Sequence, residues 1–385
     1  MAKNTEEFSE KSQALLSGKN AKGSEKSQAL PSSKKQGSKA SLGKIKKRIL
    51  VLLFVVLNIA VIVATAVSEF GNSSEAEELD HVHINAWLLV PAVLSFVAGT
   101  FFNVYKYVVM MRASYKKGAE PARREIWRTA WRVVMLGKYY DNVTPAAIGG
   151  QPFQIYYMRK HSGLPRGYTS SIPFVGMIAG QIAFIVLAVV CFFFSDVARE
   201  NPALIVTAWL GLLFYAFWPV MVAGVSYFPG ATAKFLNFFV KILARLKIVK
   251  DREKALARIE KEISEYADAI KMIMKTKGLF KKVLVLAFLF IFLTSIIPYF
   301  VLLAFGGDLD FWACLSTIMA VTSAVYFVPT PGNSVAAEGT FFVVFSSLST
   351  GYIFWAMLVW RFFSYYIYII IGALIYLKIK IENKN

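Results

Sequence analysis

The chain has 385 residues, 56% of them hydrophobic and 32 of them Phe, with a formal net charge of +19. One soluble core of this length cannot hide so much apolar surface, so part of it must face lipid. Cys191 and Cys314 both lie inside apolar runs, which excludes a disulfide framework and a thiolate metal site. His81 and His83 stand in an acidic loop, where this spacing is weak evidence for a metal, so we predict neither metal nor cofactor.

The chain begins with a hydrophilic stretch rich in Lys, Ser, Gly and Gln, in which the six residues from Glu10 are repeated from Glu25. This composition predicts a disordered basic tail over residues 1–44. An apolar run at 49–67 follows, and because it is of full spanning length we predict an uncleaved membrane anchor.

Further apolar runs recur along the chain, and each is near the roughly 20 residues that a helix needs to cross a bilayer. They lie at 86–111, 168–194, 203–228, 283–305 and 352–377, with a more broken stretch at 310–350. The sequence therefore predicts an all-α, polytopic membrane protein with about seven transmembrane helices in a domain over 45–378. Residues 379–385 are predicted to form a short cytoplasmic tail.

The distribution of charge predicts the orientation, because loops that retain Lys and Arg mark the cytoplasmic side. Residues 1–48 carry 12 basic and 4 acidic side chains, whereas 69–85 carry five acidic groups and no Lys or Arg. Residues 112–138 and 229–282 are again basic, as is the end of the chain. Both termini are therefore expected in the cytoplasm, with an amphipathic connector over 230–281 along the bilayer surface. Spread in this way, the positive charge favours contact with anionic lipid over nucleic acid.

A broken segment lies at 139–158, between two stretches that are both basic and hence both cytoplasmic by charge. Such a segment cannot cross the membrane once. Pro145, Gly149, Gly150 and Pro152 interrupt any helix through its middle. A re-entrant loop is predicted, and its freed backbone groups must be buried in protein or line a wet cavity.

A second broken segment at 326–341 resembles the first. Both contain Tyr-x-x-x-Thr-Pro, and Thr330 follows Thr144 by 186 residues. The unit of helix, broken segment and helix thus occurs twice, over about 86–194 and 283–377, and the charge pattern makes the halves antiparallel. Inverted repeats with interrupted helices are typical of transporters. The alternative is that both breaks are structural kinks filled by neighbouring helices.

Ionisable residues at membrane depth are costly and are usually paired and functional. Asp141 lies in the first break, Glu338 in the second, and Arg361 well inside the last apolar run. We expect Arg361 to meet an anionic phosphate or to pair with Glu338, and the acids to receive a cationic headgroup or a coupling proton. A static Arg361–Glu338 bridge is the structural alternative. Lys106 is close enough to the cytoplasmic end of its helix to snorkel, with no role in a site.

Three uncharged polar residues of the broken segments, Gln151, Gln154 and Asn333, add hydrogen-bonding groups. The motif from Asp141 through Gly149-Gly150-Gln151, with Glu338 and Arg361 downstream, resembles the lysylphosphatidylglycerol synthase transmembrane-region family. This is the flippase-like module of the bacterial multiple peptide resistance factor, also found free-standing. By position, Asp141, Glu338 and Arg361 match the charged intramembrane residues that the resemblance implies. We predict substrate contacts at these three and at other residues of the broken segments, namely Asn142, Thr144, Gly149, Gly150, Gln151, Gln154, Thr330 and Asn333.

The resemblance implies movement of aminoacylated phosphatidylglycerol, such as lysyl-phosphatidylglycerol, between the leaflets of a bacterial plasma membrane. The chain ends seven residues after Lys378, so we expect no appended synthase domain and no catalytic residue. No phosphate-binding Gly-x-x-x-x-Gly-Lys motif occurs, so transport would be downhill or ion-coupled. Two alternatives stay open, an intramembrane lipid-modifying enzyme and a non-transporting partner of a separate synthase. Membrane phospholipids are the expected partners, and a homo-oligomer is left open.

Overall fold

The computed structural model describes residues 84–116, 118–144, 149–194, 202–228, 230, 278–326, 328, 333–347 and 352–382, with isolated positions between 267 and 276. Every regular element in these ranges is helical, and five helices are long and apolar enough to cross a membrane. The predicted all-α polytopic membrane fold is thereby confirmed. The tail, the anchor at 49–67 and most of the connector at 230–281 lie outside the described residues, so the count of seven spans stays a prediction.

The first half of the protein contains two long helices, with two shorter helices between them in the chain. They are α1 (Leu89–Ser114), α2 (Arg123–Val143), α3 (Gly150–His161) and α4 (Arg166–Phe194), followed by a further long helix, α5 (Pro202–Tyr227). Helix α2 ends where Thr144 becomes extended, at φ −109° and ψ 145°. Thr144 precedes Pro145, and the residue before a proline is disfavoured in helical conformation.

The second half repeats this order with more interruptions. It contains α6 (Leu279–Ser295), α7 (Ile297–Ala304), α8 (Phe311–Val325), α9 (Ser334–Ser346), α10 (Ile353–Arg361), a π-helical turn (Phe362–Tyr366) and α11 (Ile367–Glu382). Asp310 caps α8 by accepting hydrogen bonds from the backbone N–H groups of Trp312 and Ala313, at 2.8 and 3.2 Å. The stretch predicted at 310–350 is thus a pair of short apolar helices, one on each side of the second break.

The equivalent long helices of the two halves pack against each other in opposite directions. The backbone N–H of Asn85, just before α1, donates to the carbonyl of Ala304 at 2.8 Å. Further along α1, the Tyr105 ring lies 5.4 Å from the ammonium of Lys282, near the start of α6. Residue numbers therefore rise along α1 as they fall along α6 and α7. Antiparallel equivalent helices are what an inverted repeat requires.

A second antiparallel contact joins α2 to α11, across the two halves. Arg132 of α2 binds Glu382 at the end of α11, whereas Tyr139 lies against Gly372 further back along that helix. A β-carbon at residue 372 would overlap the Tyr139 side chain, so glycine is required for this close approach. The reciprocal pair, α8 of the second half and α4 of the first, is also in contact. Such reciprocal packing is the pattern expected of two related halves.

Large apolar side chains cover the outer faces of the long helices, as expected of segments surrounded by lipid. On α1 and the turn before it, they recur at helical spacing at Trp87, Val90, Leu94, Val97 and Phe101. The described part of the predicted connector differs, because Ile270 and Ile273 are buried in the core. Near its C-terminal end at least, that segment packs on the helix bundle.

Candidate functional site

An ion pair buried in the protein joins the second broken segment to the last long helix. The Nε of Arg361, at the end of α10, donates to Oε1 of Glu338 on α9 at 3.0 Å. The two side chains are 5% and 1% exposed. Arg361 therefore points into the protein and away from acyl chains, as a functional or structural intramembrane cation must.

The ion pair leaves hydrogen-bonding capacity unused on both partners. Nη2 of Arg361 and Oε2 of Glu338 are buried and have no hydrogen-bond partner within the described ranges. The guanidinium carbon of Arg361 lies 4.7 Å from the ring centroid of Tyr365, which covers one face of the cation. A purely structural bridge of this depth normally has its remaining donors and acceptors satisfied. Arg361 thus keeps a buried donor, and Glu338 a buried acceptor, that no described group satisfies.

A cavity of about 310 Å³ opens beside Arg361, between the two halves and α5. Its polar lining consists of the side chains of Lys138, Tyr215, Thr294, Ser295, Thr322, Tyr326, Asn333, Arg361, Ser364 and Tyr368. The volume is at the lower end of the range for small-molecule sites, roughly 300–1,000 Å³. The cavity is therefore large enough for a small polar group.

Asn333 brings the second break itself to this cavity. It precedes α9 in the left-handed conformation, at φ 53°, which asparagine tolerates better than most residues. Its Oδ1 is buried with no hydrogen-bond partner in the described part of the chain. Thr330, the other residue predicted from this segment, lies outside the described residues.

Two side chains of the first broken segment form hydrogen bonds with the backbone at the start of α3. Oδ1 of Asp141 accepts a hydrogen bond from the backbone N–H of Gly150, and Oγ1 of Thr144 accepts one from Gly149, both at 2.9 Å. The Thr144 hydroxyl also donates to the carbonyl of Tyr140 at 2.6 Å. A β-carbon at residue 149 or 150 would overlap Thr144 or Asp141, so both positions require glycine. These residues cap the start of α3, where backbone N–H groups would otherwise lack partners.

The remaining predicted residues of the first segment are distributed around the cap. Asn142 is buried and bonds to Tyr365 of the second half, at 3.1 Å from its Nδ2 to the Tyr365 carbonyl. Gln154 accepts a hydrogen bond from the hydroxyl of Tyr107 at 3.2 Å. Gln151 is half-buried in the first turn of α3. The structure therefore brings Asn333 and Arg361 to the cavity, with Glu338 behind Arg361, and it places the Asp141 cap outside the cavity lining.

Lys138 of α2 lines the cavity, and the sequence interpretation missed it. Its ammonium lies 5.6 Å from the ring centroid of Phe290 and 6.0 Å from that of Tyr368. The sequence placed Lys138 among the basic residues of a cytoplasmic loop. The available signal was its spacing to Asp141, because residues three apart share one face of a helix and the two side chains interact electrostatically.

The prediction that Lys106 snorkels towards the cytoplasm is wrong. Lys106 is 4% exposed, and its ammonium donates to the carbonyl of Gly176 on α4 at 3.2 Å. The same ammonium lies 5.9 Å from the ring centroid of Phe290. The side chain turns inward because a neighbouring carbonyl and aromatic faces are available to it there.

Five long apolar helices and two antiparallel halves around a polar cavity define an all-α polytopic membrane protein. A family model described as the lysylphosphatidylglycerol synthase TM region matches residues 48–372. The chain belongs to this family, which confirms the resemblance inferred from the broken segments. Neither the curated proteins nor the solved structures contain a match to the sequence.

Proposed function

We propose that the protein is a lipid translocase, which moves a phospholipid with a charged headgroup from one leaflet of the membrane to the other. The observation that carries this proposal is the position of Arg361. Its guanidinium is buried, lines a headgroup-sized cavity between antiparallel halves, and keeps donors unpaired in the described structure. An arginine fork with free donors is suited to phosphate oxygens.

In this mechanism the headgroup enters the cavity while the acyl chains stay in the bilayer. Nη2 of Arg361 donates to a phosphate oxygen, and Nε keeps its hydrogen bond to Glu338. The antiparallel halves then rock against each other to expose the cavity to each leaflet in turn. Asn142 and Tyr365, which join the first break to the turn after Arg361, lie where such a motion would be transmitted.

The family description supports a role in lipid metabolism. A lysyl-transfer activity would require residues that catalyse a covalent change of the lipid. The acid of the first break is already engaged, because Oδ1 of Asp141 accepts the Gly150 N–H. Because neither Asp141 nor Glu338 is among the described residues that line the cavity, we favour binding and movement of a lipid over its modification. The assay below separates the two.

The test is a leaflet-translocation assay with the full chain in phosphatidylcholine vesicles that contain labelled phosphatidylglycerol or labelled lysyl-phosphatidylglycerol. We expect protein-dependent translocation of chemically unchanged lipid, lost in Arg361→Ala and kept in Lys281→Gln, which alters an exposed lysine outside the cavity. Asn333→Ala tests the cavity without removing a buried charge. Equal rates in empty and protein-containing vesicles would contradict transport and favour a partner role, and a covalently altered lipid would favour an enzyme.

A further inference from the structure

We infer that the cavity beside Arg361 selects a net anionic headgroup, a phosphodiester without a cationic substituent, over an aminoacylated headgroup. This inference rests on the proposed function and names the class of lipid that the same cavity accepts. It predicts the charge of the headgroup from the residues of the cavity, which the family description does not specify. Four observations support it.

First, among the described residues that line the cavity, both charged side chains are cations. They are Lys138 of α2 in the first half and Arg361 of α10 in the second. The two halves thus each contribute one positive charge to the same space. Neither Glu338 nor Asp141 belongs to the lining.

Second, the nearby carboxylates do not neutralise both cations. Glu338 bonds to Arg361 through Oε1, while Asp141 directs Oδ1 to the N–H of Gly150. Lys138 interacts electrostatically with Asp141 but forms no ion pair with it within 4.0 Å in the described structure. Its ammonium lies against the rings of Phe290 and Tyr368, which leaves its donors open to a ligand.

Third, another basic side chain, Lys106, also lies close to the Phe290 ring. The two ammonium groups lie 5.9 and 5.6 Å from that ring centroid, for Lys106 and Lys138 respectively. Among the described residues, the cavity lining thus carries two basic side chains and no carboxylate. Charges interact strongly in a poorly hydrated interior, so an anionic phosphate is attracted to this lining, whereas the ammonium groups of a lysyl substituent are repelled.

Fourth, the uncharged polar groups of the lining suit a phosphodiester and its alcohol. Ser295, Ser364 and Asn333 line the same cavity as the two cations, together with Thr294, whose hydroxyl donates to the backbone carbonyl of Phe290 at 2.8 Å. Hydroxyl and amide groups donate to phosphate oxygens and exchange hydrogen bonds with a glycerol. No lining residue that the structure describes offers a carboxylate to an ammonium group, which is what a lysyl substituent would need.

The first experiment measures binding by the full chain in detergent, as the shift in melting temperature caused by each added ligand. The probes are phosphatidylglycerol, lysyl-phosphatidylglycerol, phosphatidylcholine, and the soluble anions inorganic phosphate and glycerol 3-phosphate. We expect phosphatidylglycerol to bind about tenfold more tightly than lysyl-phosphatidylglycerol, since like charges brought together at a binding site disfavour association. Equal binding, or tighter binding of the cationic lipid, would overturn the inference whether or not the protein transports lipid.

Substitutions of Lys138 test whether this residue causes the preference for phosphatidylglycerol. Lys138→Gln should remove most of the preference for phosphatidylglycerol, Lys138→Arg should keep it, and Lys281→Gln should leave it unchanged. If Lys138→Gln binds both lipids as the native protein does, the assignment of this cavity is wrong. Binding of the soluble anions as tight as that of phosphatidylglycerol would show that a free phosphate compound is the ligand and would overturn the lipid assignment.

The second experiment repeats the translocation assay with the same three lipids. Faster movement of phosphatidylglycerol than of lysyl-phosphatidylglycerol supports both the inference and the proposed function. Movement of the cationic lipid at an equal or higher rate contradicts the inference and leaves the translocase intact. If no lipid moves above the rate in empty vesicles, the proposed function fails, and the binding order alone decides the inference.

Discussion

Asn142 and Tyr365 exchange two hydrogen bonds across the interface between the halves. Nδ2 of Asn142 donates to the backbone carbonyl of Tyr365 at 3.1 Å, and the Tyr365 hydroxyl donates to the backbone carbonyl of Asn142 at 3.2 Å. Asn142 is the second-last residue of α2, and Tyr365 lies in the π-helical turn after Arg361. The π-helical turn leaves backbone groups that α-helical bonds do not satisfy, and π-turns are often found at functional sites.

Removal of the Asn142–Tyr365 contact should destabilise the fold. For Asn142→Ala we expect a loss of about 1–3 kcal/mol, because a buried carbonyl that loses its donor keeps its desolvation cost. Tyr365→Phe should cost less, since it removes one hydroxyl and keeps the ring over Arg361. Denaturation in detergent measures both, with Tyr227→Phe at an exposed site of α5 as the control. An Asn142→Ala variant as stable as the native protein would contradict this account.

The sequence predicted the breaks and the repeat well because their signals are local. Proline and glycine interrupt a helix wherever it lies, and apolar length predicts a span without reference to its neighbours. The pairing of Arg361 with Glu338 was also within reach, because two ionisable groups in apolar segments need partners.

The lining of the cavity was not predictable in the same way. Lys106 and Lys138 follow the charge rule for cytoplasmic ends, yet both turn towards Phe290 on another helix. Which face of a helix meets a cavity depends on packing between helices far apart in sequence. The sequence likewise did not reveal that Asp141 and Thr144, whose predicted substrate contacts stay a prediction, accept hydrogen bonds from the backbone at the start of α3.

Substitutions of the Arg361–Glu338 pair should separate its structural role from its functional role. Arg361→Met alone leaves Glu338 buried without its partner and should cost about 3–5 kcal/mol. The double variant Arg361→Met, Glu338→Leu should recover most of that stability, because an apolar pair of similar volume replaces two buried charges. It should still not translocate lipid. Recovery of both stability and transport in the double variant would show that the pair is a structural bridge only.

The glycine pair that starts α3 should tolerate no side chain. In Gly150→Ala the new β-carbon overlaps the Asp141 carboxylate, so we expect a loss of about 1–3 kcal/mol from overpacking and lower transport. Gly180→Ala, in the middle of α4, is the matched control, since nothing lies within 4 Å of its β-carbon. That control should be neutral or more stable by about 0.5–1 kcal/mol, because alanine favours helix. Equal thermal stability of the two variants would refute the close packing of the cap.

His161, the last residue of α3, should make the free energy of unfolding depend on pH. Partial burial, followed by the positive charges of Lys160 and Arg132, lowers the pKa of His161, against a smaller opposing effect of Glu382 and with Arg128 adding to the lowering. The unfolded chain therefore binds a proton at His161 more readily than the folded chain does. The free energy of unfolding thus falls as pH drops below the ordinary pKa of about 6.5, and this loss of stability is absent above that pH.

Melting temperatures at pH 7.5 and pH 5.5 measure this effect of His161. His161→Gln should reduce the loss of stability between these two pH values, because glutamine does not titrate. The ring of His161 stacks on Tyr157 at 4.4 Å between centroids, so His161→Phe keeps the stacking and removes the charge. If His161→Phe loses as much stability on acidification as the native protein, the pH dependence arises elsewhere.

A substitution of Lys106 tests the electrostatics of the cavity without changing any of the described residues that line it. The ammonium is buried with one carbonyl partner, Gly176, and its long alkyl chain has nearly the shape of methionine. Lys106→Met should leave the fold as stable as before or more stable, since a buried charge with incomplete solvation is removed. It should nevertheless weaken the binding of phosphatidylglycerol, because a basic group near the cavity is lost, and this weakening should diminish in high salt less than it would for an exposed lysine. Lys106→Ala would leave a void and confuse the two effects, so the methionine variant is decisive. Unchanged affinity for phosphatidylglycerol in a folded Lys106→Met protein would show that the charge of Lys106 serves packing alone.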